Sequence, residues 1–255
     1  MNTMKTFRLD GRAALVTGSS RGIGRAIALG FTECGAAVAV HGTKPAKILD
    51  ETLADVRKLS PRSVAVTGDL SQPDVATKIV ADATAALAAL DILVVNASIQ
   101  IRKPWAEVTQ AEAEQQMQVN FHATLRMIQA VVPAMRAKKW GRILTIGSVQ
   151  QQRPHPDMIV YAASKAAQEN LVRNLAKQLG PDGITVNNLA PGVILTDRNT
   201  AALSDEAYAA RVRDMIPSRA FGEAEDCVGA TLLLCSDAGR YITGVDLLVD
   251  GGMHL

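Results

Sequence analysis

The sequence predicts an α/β fold: a single doubly wound parallel sheet of about seven strands, with helices on both faces. Three observations lead there. Short β-branched runs alternate with helical stretches from end to end. Each run is near-continuously apolar rather than alternating, which suits parallel strands covered on both sides. No linker-like or low-complexity stretch interrupts the 255 residues, so one domain is expected. Repeated βα units of this kind imply right-handed crossovers.

The first strand is expected over Ala13–Thr17, followed by a glycine-rich turn and a helix to about Cys34, where Gly35 stops it. A second strand, Ala37–His41, precedes a helical stretch over Lys47–Leu59 bounded by Pro45 and Pro61. Ser63–Thr67 reads as strand, Val75–Leu90 as an alanine-rich helix, and Ile92–Val95 as the fourth strand. A long helix over Glu112–Lys138 leads to a strand at Arg142–Ile146. A helix over Met158–Leu179 and a strand at Ile184–Asn188 follow. Beyond Pro191 come polar helical pieces over Thr200–Met215, a helix over Glu223–Leu234 and a last strand, Asp246–Val249.

Composition narrows the class. Apolar residues make up 48%, enough for a sizeable core, and 27 basic residues face 25 acidic ones for a net charge of +2. That balance gives no reason to expect a nucleic-acid partner. Met1–Arg12 lacks the apolar run of a signal peptide, and no stretch of about 20 apolar residues suggests a membrane span. Cys34, Cys227 and Cys235 are odd in number and without CxxC spacing, so neither a disulfide framework nor a metal site is expected. They read as small core residues of a soluble, cytoplasmic protein.

The turn after the first strand is Thr17-Gly18-Ser19-Ser20-Arg21-Gly22-Ile23-Gly24. A pyrophosphate needs close backbone approach and profits from the free N–H groups of a helix start. Gly18, Ser20, Gly22, Ile23 and Gly24 fit that need, although the spacing is GxxxGxG rather than GxGxxG, and a tight turn without ligand would use the same glycines. The second strand ends His41-Gly42-Thr43-Lys44, without the carboxylate that would repel a 2′-phosphate. Arg21, Thr43 and Lys44 could receive that phosphate, which favours NADP over NAD; they could also be solvated surface groups. Asp69 and Leu70, after the third strand, are placed to meet an adenine edge, although Asp69 reads nearly as well as an ordinary acid at a helix N-terminus.

Tyr161-Ala162-Ala163-Ser164-Lys165 lies in a helical stretch, so Tyr161 and Lys165 share a face one turn apart. Carbonyl reduction needs a proton donor at oxygen, and a nearby ammonium brings a phenol towards useful acidity. Ser148 ends the fifth strand, on the side where α/β sheets bind ligands. Asn120 interrupts a long helix for which asparagine has below-average propensity.

Together these residues resemble the short-chain dehydrogenase/reductase family over essentially the whole chain. The resemblance implies a Rossmann-type fold with a dinucleotide-binding part at about 10–150 and substrate and oligomerisation elements at about 150–255. It implies that Tyr161 is the acid/base and that Lys165 binds the nicotinamide ribose and tunes Tyr161. It further implies that Ser148 orients the carbonyl and Asn120 holds a water in a proton relay. Pro191, Gly192, Ile194 and Thr196 are then expected at the nicotinamide amide, and Asn96 and Ala97 at the cofactor. The family's Asn-Asn-Ala-Gly is here Val95-Asn96-Ala97-Ser98, which puts Ser98 on the substrate side. A homotetramer is the assembly the resemblance suggests.

Within that family the likeness is to the 3-oxoacyl-acyl-carrier-protein reductase type, with a small or carrier-bound carbonyl substrate. Arg136, Lys138, Lys139 and Arg173 could meet an acidic carrier. The loop Gln150-Gln151-Gln152-Arg153-Pro154-His155 points elsewhere: Gln150 and Arg153 would suit a sugar, polyol or hydroxy acid. A nucleotide-sensing protein without turnover is the alternative of another class, and an intact set of four candidate catalytic residues speaks against it.

Overall fold

The computed structural model describes residues 3–255, apart from the side chains of residues 198, 201 and 202. Seven parallel strands form one sheet in the order β3-β2-β1-β4-β5-β6-β7. They are β1 (Ala13–Val16), β2 (Ala37–Gly42), β3 (Val64–Thr67), β4 (Ile92–Val95), β5 (Gly141–Ile146), β6 (Ile184–Pro191) and β7 (Asp246–Val249). The helices are α1 (Gly22–Glu33), α2 (Lys47–Leu59), α3 (Val75–Leu87), α4 (Gln110–Met117), α5 (Ala123–Lys138) and α6 (Ile159–Leu179). Then come α7 (Asp197–Leu203), α8 (Glu206–Asp214) and α9 (Asp226–Cys235).

The continuous apolar strands are explained by two cores. Leu15 and Leu93 face a layer built from α3, α5 and α6, through Ile79, Met127 and Val172. Their neighbours Ala14, Val16, Ile92 and Val94 face the opposite layer, where Ile27, Phe31, Leu49 and Leu234 come from α1, α2 and α9. Alternate side chains of one strand thus enter different cores, and both must be apolar. Cys227 and Cys235 sit in the second core, where burial pushes both thiols up to about 12.

Several boundaries depart from the sequence reading, including the expected Glu223–Leu234 helix, which runs over Asp226–Cys235, and the Thr200–Met215 stretch, which divides into α7 and α8. The expected Glu112–Lys138 helix starts earlier, at Gln110, because Thr109 and Glu112 form a capping box. It is also split by a π-helical turn over Gln118–His122, which carries Asn120. The alanine-rich helix ends at Leu87, since Ala88 turns left-handed at φ +66°. The sixth strand runs on past Asn188 to Pro191. Its two asparagines are satisfied, with the Asn187 amide donating to the Ile242 carbonyl and the Asn188 amide to Asp246.

The strand order reverses between β1 and β4. In a doubly wound sheet the crevice beyond the carboxyl ends at that point is where ligands bind. The loops after β1, β2, β3, β4, β5 and β6 all contribute to one cleft there, of about 1050 Å³.

Candidate active site

The first wall of the cleft is the turn between β1 and α1. Gly18 and Gly22 have φ of +62° and +55°, a region open to glycine. A Cβ on Gly24 would stand 2.5 Å from both the Asn96 amide nitrogen and the Gly18 carbonyl oxygen. Arg21 occupies the N-cap position of α1 without a side-chain cap, so the helix start presents backbone N–H groups to the cleft. The absence of Cβ atoms and the uncapped helix end make an anion cradle that fits a dinucleotide pyrophosphate.

Asn96 locks this turn to the end of β4. Its amide donates to the Thr17 and Gly18 carbonyls at 2.8 and 3.0 Å, while the Asn96 and Ala97 N–H groups both donate to the Thr17 hydroxyl. His41 at the end of β2, passed over as plain strand in the sequence, braces the same turn from the other side. The Gly18 N–H donates to His41 Nδ1 at 3.0 Å, so the ring proton sits on Nε2 and meets the Gly68 carbonyl at 3.1 Å. Burial holds the His41 pKa down, in keeping with that neutral tautomer.

Ser20, Ile23, Thr43, Asp69, Leu70 and Ala97 line the cleft, with Gly18, Gly22 and Gly24 beside them. Arg21 also lines it and pairs with Asp197 at 3.1 Å across its mouth. Lys44 lies outside the lining, so the phosphate-receiving set seen at the cleft is Arg21 and Thr43 without it. Further along, Pro191, Gly192, Ile194 and Thr196 line the wall after β6. A Cβ on Gly192 would come within 2.7 Å of the Asp250 backbone, showing how closely the C-terminal segment buttresses that wall.

Ser148 and Tyr161 line the same cleft from the end of β5 and the first turn of α6. Ser148 Oγ accepts the Gln150 N–H, and its own N–H donates to the Gln151 side chain at 3.2 Å. Tyr161 is 5% exposed. Lys165 is buried beneath it, with Nζ 5.8 Å from the ring centre and donating to the Ile146 carbonyl at 2.6 Å.

Asn120 lies inside the protein rather than on the cleft surface. Its amide donates to the Ile99 carbonyl and the Ser164 hydroxyl, and its side-chain oxygen accepts the Ile99 N–H. Ser164 in turn donates to the Tyr161 carbonyl. Asn120 therefore ties the segment after β4 to the tyrosine-bearing turn. Gln168, which sequence reasoning missed, links the pair behind them: it accepts from Lys165 Nζ at 3.2 Å and donates to the Asn120 carbonyl at 3.3 Å. Its place three residues beyond Lys165 on one helix face was the available signal.

At the substrate end, Ser98 and Gln150 line the cleft, but Arg153 does not. Its guanidinium donates to the Met253 carbonyl at 2.5 Å, which ties it to the C-terminal segment. Gln152 is likewise spent on Asp246 at 2.8 Å. The cationic residue that does line this end is Arg102, beside His155, on the segment after β4. Its position just beyond Val95-Asn96-Ala97-Ser98 could have flagged it.

This assembly, an anion-binding helix start and a serine, tyrosine and lysine brought to one crevice of a parallel α/β sheet, is that of a dinucleotide-dependent oxidoreductase. Comparisons with known proteins agree. A family model described as enoyl-(acyl carrier protein) reductase matches residues 18–254. Glucose 1-dehydrogenase of Gluconobacter oxydans is 36% identical over 97% of this chain and 94% of its own. An NADP-bound 3-oxoacyl (acyl-carrier-protein) reductase of Agrobacterium tumefaciens is 39% identical, with a TM-score of 0.92 over 99% of this chain and 97% of that one. A gluconate 5-dehydrogenase of Burkholderia cenocepacia, in complex with NADP and tartrate, is 32% identical with a TM-score of 0.91, covering 99% and 98%. The chain belongs to the short-chain dehydrogenase/reductase family.

Proposed function

We propose that this chain is an NADP-dependent dehydrogenase acting on a small polyhydroxylated alcohol or its carbonyl form. The observation that carries this reading is the substrate end of the cleft, where Gln100, Arg102, Gln115, Gln150, His155 and Asn199 stand together. These side chains are half-buried or exposed at the cleft, and a substrate that displaces their water must offer hydrogen-bonding partners in its place, which hydroxyl groups supply and an acyl chain lacks. The sugar and sugar-acid dehydrogenases among the relatives support it. NADP is supported by the carboxylate-free end of β2, by Arg21 and Thr43 on the cleft, and by the NADP bound in similar structures.

The glycine turn, Asn96 and the wall from Pro191 to Thr196 would hold the dinucleotide, with Lys165 under its nicotinamide ribose. When bound, the cofactor exchanges a hydride with the reacting carbon. Ser148 holds the substrate oxygen against Tyr161, and Tyr161 gives or takes the proton there. Lys165 supplies the positive charge that eases loss of that proton. Asn120 and Gln168 hold the lysine and the tyrosine-bearing turn in register.

The 3-oxoacyl-thioester reading has one observation of its own, the similarity to the Agrobacterium reductase. Each cation proposed for a carrier protein has an acidic neighbour that offsets its charge: Arg136 and Lys139 pair with Asp182, Lys138 with Asp91, and Arg173 with Glu169, so these residues do not make a strongly positive patch. Initial rates decide between the two. With NADP, sugar acids or polyols of four to six carbons should show a kcat/KM at least tenfold above that for acetoacetyl thioesters with NADPH. The reverse order would sink the polyhydroxylated reading.

We also propose a cytoplasmic homotetramer. The unpaired cysteines suit a reducing compartment, and no helix among the described residues is long and apolar enough to cross a membrane. The outer edge at β7 carries exposed Tyr241 and Val245 nearby, apolar surface that a second copy would cover. Light scattering at micromolar concentration should give about four times the 27.0 kDa chain mass. A mass of one chain would reject it.

A further inference from the structure

We infer that Arg102 and His155 form a carboxylate-binding subsite, so that the substrate is a hydroxy acid rather than a neutral sugar or polyol. The inference rests on the polyhydroxylated reading and sharpens it.

The argument starts from the ring of His155. A neutral imidazole carries one proton, and so can accept at only one nitrogen. Nδ1 accepts the Asp157 backbone N–H at 3.1 Å, capping the short helical turn Pro156–Met158. The proton therefore belongs on Nε2. Yet Nε2 stands 3.1 Å from Nη2 of Arg102, a group that can only donate. Two donors face one another at the edge of the cleft. Protonating the ring makes this worse, since it would cost Nδ1 its acceptor role and place two cations side by side. Burial and the Arg102 charge both hold the His155 pKa down, and the Asp157 charge only partly opposes them.

An acceptor beside the pair resolves the conflict, because one oxygen within hydrogen-bond distance of both nitrogens can take both N–H donors. The charge selects a carboxylate for that place. Arg102 contacts Asp157 through Nε at 3.5 Å, which leaves the outer nitrogens of its fork for a second anion. Its guanidinium lies 5.4 Å from the Tyr208 ring centre, so α8 holds it from the other side. Both Arg102 and His155 line the cleft that Ser148 and Tyr161 also line. A substrate with its reacting hydroxyl at Tyr161 can thus present a carboxylate to Arg102.

The test uses NADPH-loaded enzyme, titrated calorimetrically with aldonates of four to six carbons and with the matching uncharged alditols. Both series are already alcohols, so neither reacts with the reduced cofactor. Native enzyme should bind the best aldonate about ten- to hundredfold tighter than its alditol, the span of a charge-assisted pair. Arg102→Gln should erase that ratio, and Arg102→Lys, which keeps the charge but loses the fork, should keep part of it. The ratio is the readout, so a general loss of stability does not imitate the result. Equal binding of acids and alditols by the native enzyme, or a ratio untouched in Arg102→Gln, overturns the carboxylate subsite and leaves the polyhydroxylated reading standing. Failure of both series to bind overturns the two together.

Discussion

Tyr161→Phe is expected to lower kcat by about 10²–10⁴-fold, the usual worth of a positioned acid/base, while the affinity for NADPH stays within a few-fold. The two expectations come from different parts of one side chain. The ring is 5% exposed and packs over Lys165, whose Nζ lies 5.8 Å from its centre. Phenylalanine keeps that packing and leaves the hydrogen bond from Ser164 to the residue 161 carbonyl intact, since this uses backbone only. What is lost is the hydroxyl that exchanges a proton with the substrate oxygen. Steady-state rates together with NADPH titration by fluorescence separate the two effects. Near-native kcat in the variant would show that another group carries the proton.

Arg21→Ala is expected to raise the KM for NADPH by about ten- to hundredfold and to leave that for NADH within a few-fold. A charge-assisted hydrogen bond contributes about 1.5–3 kcal/mol, or one to two decades. In the structure Arg21 pairs with Asp197, but both side chains are about two-thirds exposed. An exposed pair of that kind contributes little, so it does not hold the guanidinium back from a phosphate. Removing Arg21 takes away the cation on the cleft nearest the end of β2, since Lys44 lies outside the lining. Kinetics with both cofactors provide the check. Equal use of NADH and NADPH by the native enzyme would defeat the argument before any variant is made.

Much of the site was legible because it depends on local spacing. The glycines of Thr17–Gly24 mark where backbone must come close, and a Cβ on Gly24 would stand 2.5 Å from the Asn96 amide and from the Gly18 carbonyl of the same turn. Tyr161 and Lys165 share a face by helical periodicity alone. The broken helix at Asn120 was visible only as a poor helix former. That it becomes a π-turn depends on where its amide finds partners, at Ile99 and Ser164. The capping box at Thr109 and Glu112 was written in the sequence and overlooked; it places the helix start two residues early, and the Lys103 ammonium, helped by the Thr109 contacts, pulls the Glu112 carboxyl pKa down to about 2.

The sequence by itself determined the layered sheet and the family and offered the candidate residues for hydride chemistry, because these follow from hydrophobic period, missing side chains and one-turn spacings. Tertiary structure alone decided which charged groups line the cleft. Arg153 was a plausible substrate contact until folding brought it to Met253, 100 residues away. Arg21 meets Asp197 across 176 residues, and Arg102 reaches His155 across 53. A long polar side chain satisfies itself with whatever donor or acceptor the fold delivers. Its role therefore depends on a contact that no local pattern encodes, whereas a glycine or a one-turn pair carries its constraint in the neighbouring residues.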